Sequence, residues 1–522
     1  MVYVMMPTLK NNAHPKSHET VQFLGMSNRY PITAGTLCDA DGLGNAQFPS
    51  LSPLPAETEV RTYDEPVRIF AHNGGMLCIT ETKLLWNDSE IADLSEYTDS
   101  IIQPEDYLVA GINAQIVIFP LKIAINTTDN SIRRLDRTER YTNVSVSINE
   151  FVTRSGQYFD LLRGCSTQFS VNDTVSISDA SGNVLYSAAT IRYINGDTVG
   201  FYANTLSKLN GMNNNITLSR TAPKLSTLCE SNNRLWGTDG NTIYACALGD
   251  PLNWNRYDGL SDDSYAVTVA SDGAFTAAAH YGTHVCFFKE NCIHKLYGSK
   301  PSNYQVVTVV APGVKSGCAR SIATIGSVLY FCGAGGIYAY DGDTPSCISS
   351  NIDDTHIAFA VGTAQQYIAY TGVRTIAFDT VRKLWYPQSH DWLCDMVYTG
   401  GDVFLLHPAG TLCRRDADID NAKPREWWVQ LADMDDTASN QKRLQKLVIQ
   451  ADVQRQGYLR IDVRTDGGQW HEVYAAEGTH NKIMNIPVYP NRCLSMGIRF
   501  RAYGNVTIRS IDRIYTSYET RE

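Results

Sequence analysis

A hairpin pattern that recurs at nearly constant spacing constrains the fold of this 522-residue chain more than any other feature. Residues 234–246 have the character of a strand, a tight turn at Gly240 and Asn241, and a second strand. Residues 328–340 and 403–413 repeat this arrangement, each with a glycine at the turn. The recurrence predicts that one small β unit is used many times. Weaker copies occupy residues 76–86, 115–125, 284–295 and 374–386.

The spacing of these hairpins predicts the architecture. Equivalent second-strand positions are Ile243, Ile293, Ile337 and Leu384, which by subtraction lie 50, 44 and 47 residues apart. Blades of a β-propeller repeat about every 40–50 residues, and neighbouring blades bury the apolar faces that one hairpin leaves exposed. The step from Leu384 to Leu412 is only 28 residues, as expected for two hairpins of one blade. We predict an all-β protein with a β-propeller of about six or seven blades, and ordinary β-sandwiches are the alternative.

Two regions fall outside the repeat and are predicted to form further β domains. Residues 140–222 hold short strands joined by Gly-Asn and Asn-Gly-Asp turns, which indicate a small inserted β-barrel or sandwich. Residues 440–522 alternate apolar and polar side chains, as in a two-sheet sandwich. The N-terminal segment and first blades are assigned to 1–139, the remaining blades to 223–420, and a polar linker to 421–439.

Composition and charge narrow the possible functions. Charged residues make up 19% of the chain and hydrophobic residues 43%, which disfavours a coiled coil and a disordered chain. The net charge of −10 predicts weak nonspecific DNA binding, because phosphate affinity comes from Lys and Arg. No run of about 18 apolar residues is present, so no membrane insertion is expected. The 13 cysteines lack C-x-x-C spacing and are expected to be reduced thiols of a protein folded in a cytoplasm.

The motifs of common enzymes are missing, so no enzymatic activity is predicted. The sequence has no G-x-x-x-x-G-K-[ST] and no H-E-x-x-H motif, and the glycines of 333–336 belong to a hairpin turn. In residues 313–317 the serine comes one place late for a nucleophile elbow. The acidic pairs at 262–263 and 353–354 lie in polar loops, and sequence does not show the carboxyl separation that glycoside hydrolysis needs. We predict no catalytic residue, no cofactor-binding residue and no cofactor, and a propeller hydrolase stays an alternative.

One group of residues has the chemistry of a metal site. His280, His284, Cys286, Cys292 and His294 carry imidazoles and thiols, which suit zinc. The segment between them is strand-like, however, and a packed hairpin explains the same residues. No metal site is therefore predicted.

A second segment resembles the start of a calcium-binding loop. Asp39, Asp41 and Gly42 have the required spacing, but the twelfth position is Ser50 where such a loop needs a bidentate Glu. A turn is predicted instead.

Basic and aromatic clusters are interpreted as contact surfaces. The basic residues of 133–140 and 442–446 are diluted by acids or lie at a domain edge, which favours a solvated face or a subunit contact over a phosphate-binding patch. Trp427 and Trp428 precede the C-terminal sandwich and are expected to anchor it to the propeller or to a neighbouring subunit. Stacking against a sugar is the less favoured use of these two rings.

Three segments match motifs that occur together in one protein family. Residues 23–53 contain an F-x-G motif, a G-x-x-x-D motif and a final P-S-L-S-P, with Leu54 where the family has Arg. Residues 247–257 are similar to an l-G-d-p-n-W-r-f blade signature. With the similar C-terminal segments, these motifs resemble the tail hub or nozzle proteins of tailed bacteriophages, often labelled packaged-DNA-stabilisation proteins. The C-terminal segments are 442–447, 486–493 and 508–511.

The resemblance implies a structural virion protein of the phage tail, assembled in the host bacterial cytoplasm. Propeller protomers would form a homo-oligomeric ring, expected to be a hexamer, below the portal and its adaptor at the head–tail connection. The ring would continue the DNA channel, retain packaged DNA until ejection, pass double-stranded DNA without sequence-specific binding, and hold tail fibres, spikes or a plug. The family contributes no catalytic residues.

Two further expectations follow from this hypothesis. The 140–222 insert and the 440–522 sandwich are expected to supply subunit and adaptor contacts, because both lie outside the repeat. The alternative from another class is a receptor-binding tail protein with a carbohydrate-binding propeller site that uses Tyr257 or Trp392.

Overall fold

Antiparallel β-strands make up almost all the regular structure of the computed structural model. The only helices in the described part of the chain are 3₁₀ helices, and none of them is long and apolar enough to cross a bilayer. The chain divides into two compact units, one of them Tyr63–Ser346 and the other Met1–Thr62 together with Cys347–Glu522. The 3₁₀ helices are Leu94–Glu96, Pro104–Asp106, Pro301–Asn303 and Ala319–Ser321. The structure describes residues 16–29, 33–209, 211–353, 356–415, 425–434, 440–478, 480–488 and 490–518.

The first unit contains five four-stranded antiparallel sheets in chain order, here named blades 1 to 5. Blade 1 comprises Pro66–His72, Gly75–Thr80, Lys83–Trp86 and Ser89–Asp93. Blade 2 comprises Leu108–Ile112, Gln115–Phe119, Ile123–Asn126 and Ile132–Arg134. Blade 3 comprises Thr227–Ser231, Arg234–Asp239, Thr242–Ala245 and Tyr265–Thr268. Blade 4 comprises Ala277–Tyr281, His284–Lys289, Cys292–Tyr297 and Gln305–Val310. Blade 5 comprises Ala323–Ile325, Val328–Gly333, Gly336–Tyr340 and Ser346–Cys347.

Each middle strand buries both of its faces, which explains the unbroken apolar runs in the sequence. In blade 2, Ile116 and Ile118 pack against blade 1, whereas Val117 and Phe119 pack against blade 3. Successive side chains of a strand point to opposite faces, so one apolar run packs against both neighbouring blades. The first strands of blades 2, 3 and 4 lie side by side, as the innermost strands of a propeller do.

A closed six-stranded barrel interrupts the blade series between blades 2 and 3. Its core is apolar and includes Val144, Leu162, Ile191 and Phe201, all buried. The strands in order around the barrel are Arg137–Val152, Gln157–Arg163, Thr198–Tyr202, Val184–Asn195, Thr174–Asp179 and Gly211–Arg220. The insert predicted over 140–222 is therefore a barrel.

The second unit contains two further four-stranded sheets, blades 6 and 7. Blade 7 takes its fourth strand from Glu57–Thr62, which pairs antiparallel with Thr411–Arg415. A strand from the beginning of the chain thus completes the last blade as its outer strand. Blade 6 comprises Phe359–Gly362, Gln366–Tyr370, Thr375–Asp379 and Leu384–Ser389. The other strands of blade 7 are Asp395–Thr399, Asp402–Leu406 and Thr411–Arg415.

The structure corrects one step of the repeat. Leu384 lies in the fourth strand of blade 6 and Leu412 in the third strand of blade 7, so the prediction that they share a blade is wrong. The third-strand equivalent in blade 6 is Ile376. Thr375–Asp379 and Leu384–Ser389 are both buried strands. The sequence pattern alone does not show which of them is the third strand of the blade.

Two sheets packed face to face form the C-terminal sandwich around one large apolar core. The segment predicted as a linker, 421–439, differs from that expectation because Glu426–Leu431 is a sandwich strand with Trp427, Val429 and Leu431 buried. The first sheet is ordered Lys16–Val21, Val506–Tyr518, Gln441–Val453 and His480–Pro487. The second is ordered Leu37–Asp41, Glu426–Leu431, Met496–Tyr503, Tyr458–Thr465 and His471–Glu477. A short ladder joins Leu43–Gly44 to Ser52–Pro53.

These elements confirm the predicted fold class. The protein is an all-β propeller protein with an inserted β-barrel and a C-terminal β-sandwich. Over the described residues the first unit contains five four-stranded blade sheets and the second unit contains two.

Candidate functional site

The loop that carries the blade signature fastens the inserted barrel to blade 3. Asn253 Oδ1 accepts a hydrogen bond of 2.8 Å from the backbone N–H of Thr174, on a barrel strand. Its Nδ2 donates to Asp173 at 3.3 Å. Beside it, Trp254 is buried and its ring meets Phe119 of blade 2 edge to face at 6.3 Å. Asn253 therefore holds the barrel against blade 3, and Trp254 packs against blade 2.

Ion pairs strengthen the same joint. Arg220, at the end of the last barrel strand, lies 2.8 Å from Asp173, and both side chains are buried. Burial lowers the pKa of Arg220, opposed by the charge of Asp173. Arg192 on the barrel pairs with Asp258 of the blade 3 loop at 2.7 Å. The barrel is thus held by buried polar contacts, whose partners are costly to leave unpaired.

The basic segment at 133–140 borders a cavity of about 470 Å³ that Arg220 and Gln168 also line. Arg137 pairs with Glu139 at 2.7 Å, and Arg134 lies 4.9 Å from the centre of the Tyr97 ring. These contacts engage Arg134 and Arg137 with other residues of the protein.

The three histidines among the residues considered as zinc ligands are hydrogen-bonded to hydroxyl groups. His280 bonds Ser231 Oγ at 2.7 Å, and His284 bonds Tyr340 Oη at 2.9 Å. His294 lies 2.8 Å from Ser271 and 2.9 Å from Thr308 through its two nitrogens.

The geometry of this hairpin is the packed one that alternation predicts. Cys286 is fully buried, and Cys292 lies 3.7 Å from His294. Among the described residues this group does not bring three ligand atoms together.

The predicted turn at Asp39 and Asp41 is wrong, because both residues lie on the sandwich strand Leu37–Asp41. Asp39 pairs with Arg374 at 3.2 Å and with His390 at 3.0 Å. The bend comes at Gly42, whose φ of 72° is left-handed and favours glycine. The two carboxylates therefore connect the sandwich to the end of blade 6.

The acidic pairs have structural partners. Asp262 accepts from Arg256 at 2.5 Å, and buried Asp263 accepts from the backbone N–H of Gly259 at 2.6 Å. Asp353 lies 3.4 Å from Arg29, and its neighbour at 354 is outside the described residues.

The aromatic pair before the sandwich serves two different contacts. Trp427 is 1% exposed in the sandwich core and donates to the carbonyl of Gly504 at 3.2 Å. Trp428 stacks on His390, with ring centres 5.9 Å apart. Of the two other aromatics considered for sugar binding, Tyr257 is 53% and Trp392 72% exposed.

A cluster that sequence reasoning missed lies in blade 7, where the strand Glu57–Thr62, here named the closing strand, pairs with Thr411–Arg415. Glu57, His407 and Cys413 present a carboxylate oxygen, an imidazole nitrogen and a sulfur, all within 4.8 Å of one another. His407 Nε2 is 3.2 Å from Glu57 Oε2. Glu57 and His407 are 350 residues apart, and no local motif links them. Only the pairing of Glu57–Thr62 with Thr411–Arg415, which sequence did not predict, brings them together.

Glu57 and His407 of this cluster shift each other's pKa. Burial alone would raise the pKa of Glu57, but the hydrogen bond from His407 and the charge of Arg415 hold it below its ordinary value. The same hydrogen bond raises the pKa of His407 against the effect of burial. Burial, with the charges of Glu57, Glu59 and Asp391, raises the pKa of Cys413 to about 11.

A cavity of about 470 Å³ lies between blades 6 and 7 in the same unit. Asn45 donates to Asp379 at 3.1 Å on its wall, and Arg382 pairs with Asp379 at 2.8 Å. Arg415 and Gln388 also line the cavity and lie 3.2 Å apart. Its groups are hydrogen-bonded to one another, as in a rigid joint between blades.

The fold and these sites define the class of the protein: a β-propeller protein whose polar clusters chiefly join one β domain to the next. No protein-family model matches the chain. No curated protein matches it either.

Several solved structures are similar at low identity. BamB from Moraxella catarrhalis has 10% identity and a TM-score of 0.34, covering 69% of this chain and 97% of that one. Hsv2 of Kluyveromyces lactis, with loop 6CD replaced by a Gly-Ser linker, has 9% identity and a TM-score of 0.33, covering 71% and 98%. PorZ of Porphyromonas gingivalis has 11% identity and a TM-score of 0.29, covering 87% and 71%.

Proposed function

We propose that the protein is a structural virion protein of a tailed bacteriophage. It forms a tail hub or nozzle ring below the portal–adaptor complex, continues the DNA channel, helps to retain packaged DNA and anchors tail appendages. The basis is the resemblance of residues 23–53, 247–257 and the C-terminal segments to that family.

The observation that carries this proposal is the use made of the signature residues. Asn253 and Trp254 are buried; Asn253 bonds the barrel, and Trp254 packs against Phe119 of blade 2. Phe23 likewise lies in the sandwich core and contacts Phe500 edge to face at 6.4 Å. Residues that serve packing are those a family of structural rings would share. We infer on the same grounds that the protein acts without catalysis.

The barrel offers a surface for a neighbouring copy of the chain. Phe151 and Tyr158 sit opposite each other on adjacent barrel strands, with ring centres 5.1 Å apart. They remain 48% and 57% exposed. Exposed aromatic pairs are enriched at protein interfaces, and a ring needs a head-to-tail contact whose rotation closes. The barrel is thus the proposed contact between protomers of a hexamer.

Charge is compatible with a DNA conduit. The net charge of −10 repels phosphate, so DNA passes without being gripped or read. Local basic residues such as Arg137 and Arg192 are paired with acids, which reduces their attraction for DNA.

Electron microscopy tests the proposal directly. The purified full-length chain, at micromolar concentration and above, should form six-fold rings with a central channel. Antibody labelling of phage particles should place the chain on the tail axis below the portal. A protein that stays monomeric at all concentrations and is missing from virions would contradict the proposal.

The second candidate is a receptor-binding tail protein that recognises carbohydrate. Trp392 favours it, because this large ring is 72% exposed in the loop between blades 6 and 7. A glycan array probed with the wild-type chain and with W392A distinguishes the lectin from the nozzle. Binding that W392A abolishes supports the lectin, and the same array without signal supports the nozzle.

A further inference from the structure

Three chemically different metal ligands meet in blade 7, where the closing strand Glu57–Thr62 pairs with Thr411–Arg415. Glu57 lies on the closing strand, His407 in the turn of the blade 7 hairpin, and Cys413 on the strand that pairs with the closing strand. Their ligand atoms lie within 4.8 Å of one another, and this is the one such group among the described residues.

Glu57 and His407 each have a further partner that orients them. Arg415 Nη2 lies 3.4 Å from Glu57 Oε1, which leaves Oε2 directed at His407. Arg415 is itself held by Gln388 Oε1 at 3.2 Å. The imidazole of His407 also donates a hydrogen bond to the backbone of Trp392. Supporting contacts of this kind are typical around metal ligands, whose orientation they fix.

We propose that Glu57, His407 and Cys413 bind one zinc ion that fastens the closing strand to blade 7. Zinc takes carboxylate, imidazole and thiolate ligands, and three protein ligands leave a fourth position for water. Tetrahedral zinc with ordinary bond lengths places its ligand atoms roughly 3.3–3.8 Å apart. The 3.2 Å between Glu57 and His407 already approaches that spacing.

The local environment supplies access and compensating charge. The side chains of Glu57 and His407 are 14% and 22% exposed, so solvent reaches the cluster. Arg415 opposes a cation, but Glu59 and Asp391 add negative charge near the thiol. On binding, the ion takes the place of any proton shared by Glu57 and His407, and the Cys413 thiol releases its proton to solvent.

The neighbouring candidate in blade 4 fits less well. Cys292 and His294 approach to 3.7 Å, but both nitrogens of His294 already bond hydroxyl groups. This pair therefore provides a matched control.

The bound ion would stabilise the pairing of the closing strand with Thr411–Arg415. The ion links residues 350 positions apart and binds only when Glu57–Thr62 is paired with Thr411–Arg415. A ligand that binds only the closed form shifts the equilibrium toward it. Zinc should therefore slow hydrogen exchange in residues 57–62.

The test uses the metal-stripped full-length protein titrated with Zn²⁺ against a chromophoric chelator. We expect one equivalent to bind, and we expect C413S and H407Q each to weaken this binding by more than about 100-fold. C292S and C347S, which alter the blade 4 pair and an exposed thiol, should bind as the wild type does. Co²⁺ in place of Zn²⁺ should give a thiolate charge-transfer band that C413S lacks.

Hydrogen exchange supplies the second readout. Zinc should protect 57–62 in the wild type and in C292S but not in H407Q. Should C413S fail to fold by circular dichroism, H407Q answers the same question. Equal zinc binding in the wild type, C413S and H407Q, or no zinc binding by the folded wild type, overturns the proposal.

Discussion

Asn253 reaches from the loop of blade 3 to the backbone N–H of Thr174 in the barrel, across 2.8 Å and 79 residues of sequence. The same amide donates to Asp173, which in turn pairs with buried Arg220. One small side chain thus satisfies two buried groups of the barrel from the blade 3 loop.

Replacing Asn253 should therefore loosen the barrel. We expect N253A to lower the free energy of unfolding by about 1–3 kcal/mol, because the Thr174 N–H loses its partner in a buried place. The matched control is N255A, whose half-buried amide reaches the carbonyl of Thr221 at 3.3 Å; it should cost under about 1 kcal/mol. Urea unfolding, with limited proteolysis between the barrel and blade 3, measures both. Equal effects of the two variants would contradict the assigned role of Asn253.

The exposed pair Phe151 and Tyr158 should control assembly without affecting the fold. We expect the double variant F151S/Y158S to remain folded but to sediment as a protomer where the wild type forms rings. W392S, which removes another exposed ring outside the barrel, serves as the control and should still assemble. Rings formed normally by the double variant would exclude the barrel as the protomer contact.

Asp462 should stabilise the sandwich. Its buried carboxylate accepts from Arg499 at 2.9 Å and from Arg501 at 2.7 Å. D462N should cost about 2 kcal/mol, as expected for hydrogen bonds to a charged group. Asp452 pairs with Arg509 at an exposed site, so the control D452N should cost less than about 1 kcal/mol. Thermal unfolding compares them, and a D452N cost equal to that of D462N would be unexpected.

Low pH should weaken the contacts of Asp462 with Arg499 and Arg501. Burial alone would raise the pKa of Asp462, but the hydrogen bonds from Arg501 and Arg499 hold it below its ordinary value. Because the folded pKa is the lower one, the stabilisation is present above about pH 4 and is lost as pH falls through the folded pKa. The difference in stability between wild type and D462N should shrink over that range.

Two buried histidines should make the protein sensitive to mild acid. Burial, with Lys295 and His280 nearby, lowers the pKa of His284 to about 4; burial with Lys289 does the same for His294. The unfolded chain then binds more protons between about pH 6.5 and pH 4, so stability falls as pH drops through that window. Urea midpoints between pH 7 and pH 4 should decrease, and NMR of labelled histidine should show two imidazoles titrating near 4. Titration of every imidazole near 6.5 would contradict this.

The blades were predictable because their middle strands bury both faces. Residues such as Ile116 and Val117 then form apolar runs that local turns divide into hairpins, and a window of about ten residues contains the whole signal. The inserted barrel and the sandwich were visible for a similar reason, since their strands alternate or end at Gly-Asn turns.

The closure and its cluster were not predictable. Glu57–Thr62 is a polar, mostly exposed strand, so it carries no apolar run, and its partner lies more than three hundred residues away. The sandwich strand Leu37–Asp41 was mistaken for a turn because Asp39 and Asp41 resemble loop residues. Their charges are accounted for by Arg374 and His390, which only the folded chain brings near.

The closing strand is synthesised long before the strand with which it pairs. Residues 57–62 leave the ribosome long before Thr411–Arg415, so they wait without a partner while most of the protein is made. Glu57, Glu59 and Arg61 place charge along this waiting strand, and charge discourages a lone strand from joining the wrong sheet. The polar character that leaves the strand without an apolar run should thus also protect the nascent chain from mispairing.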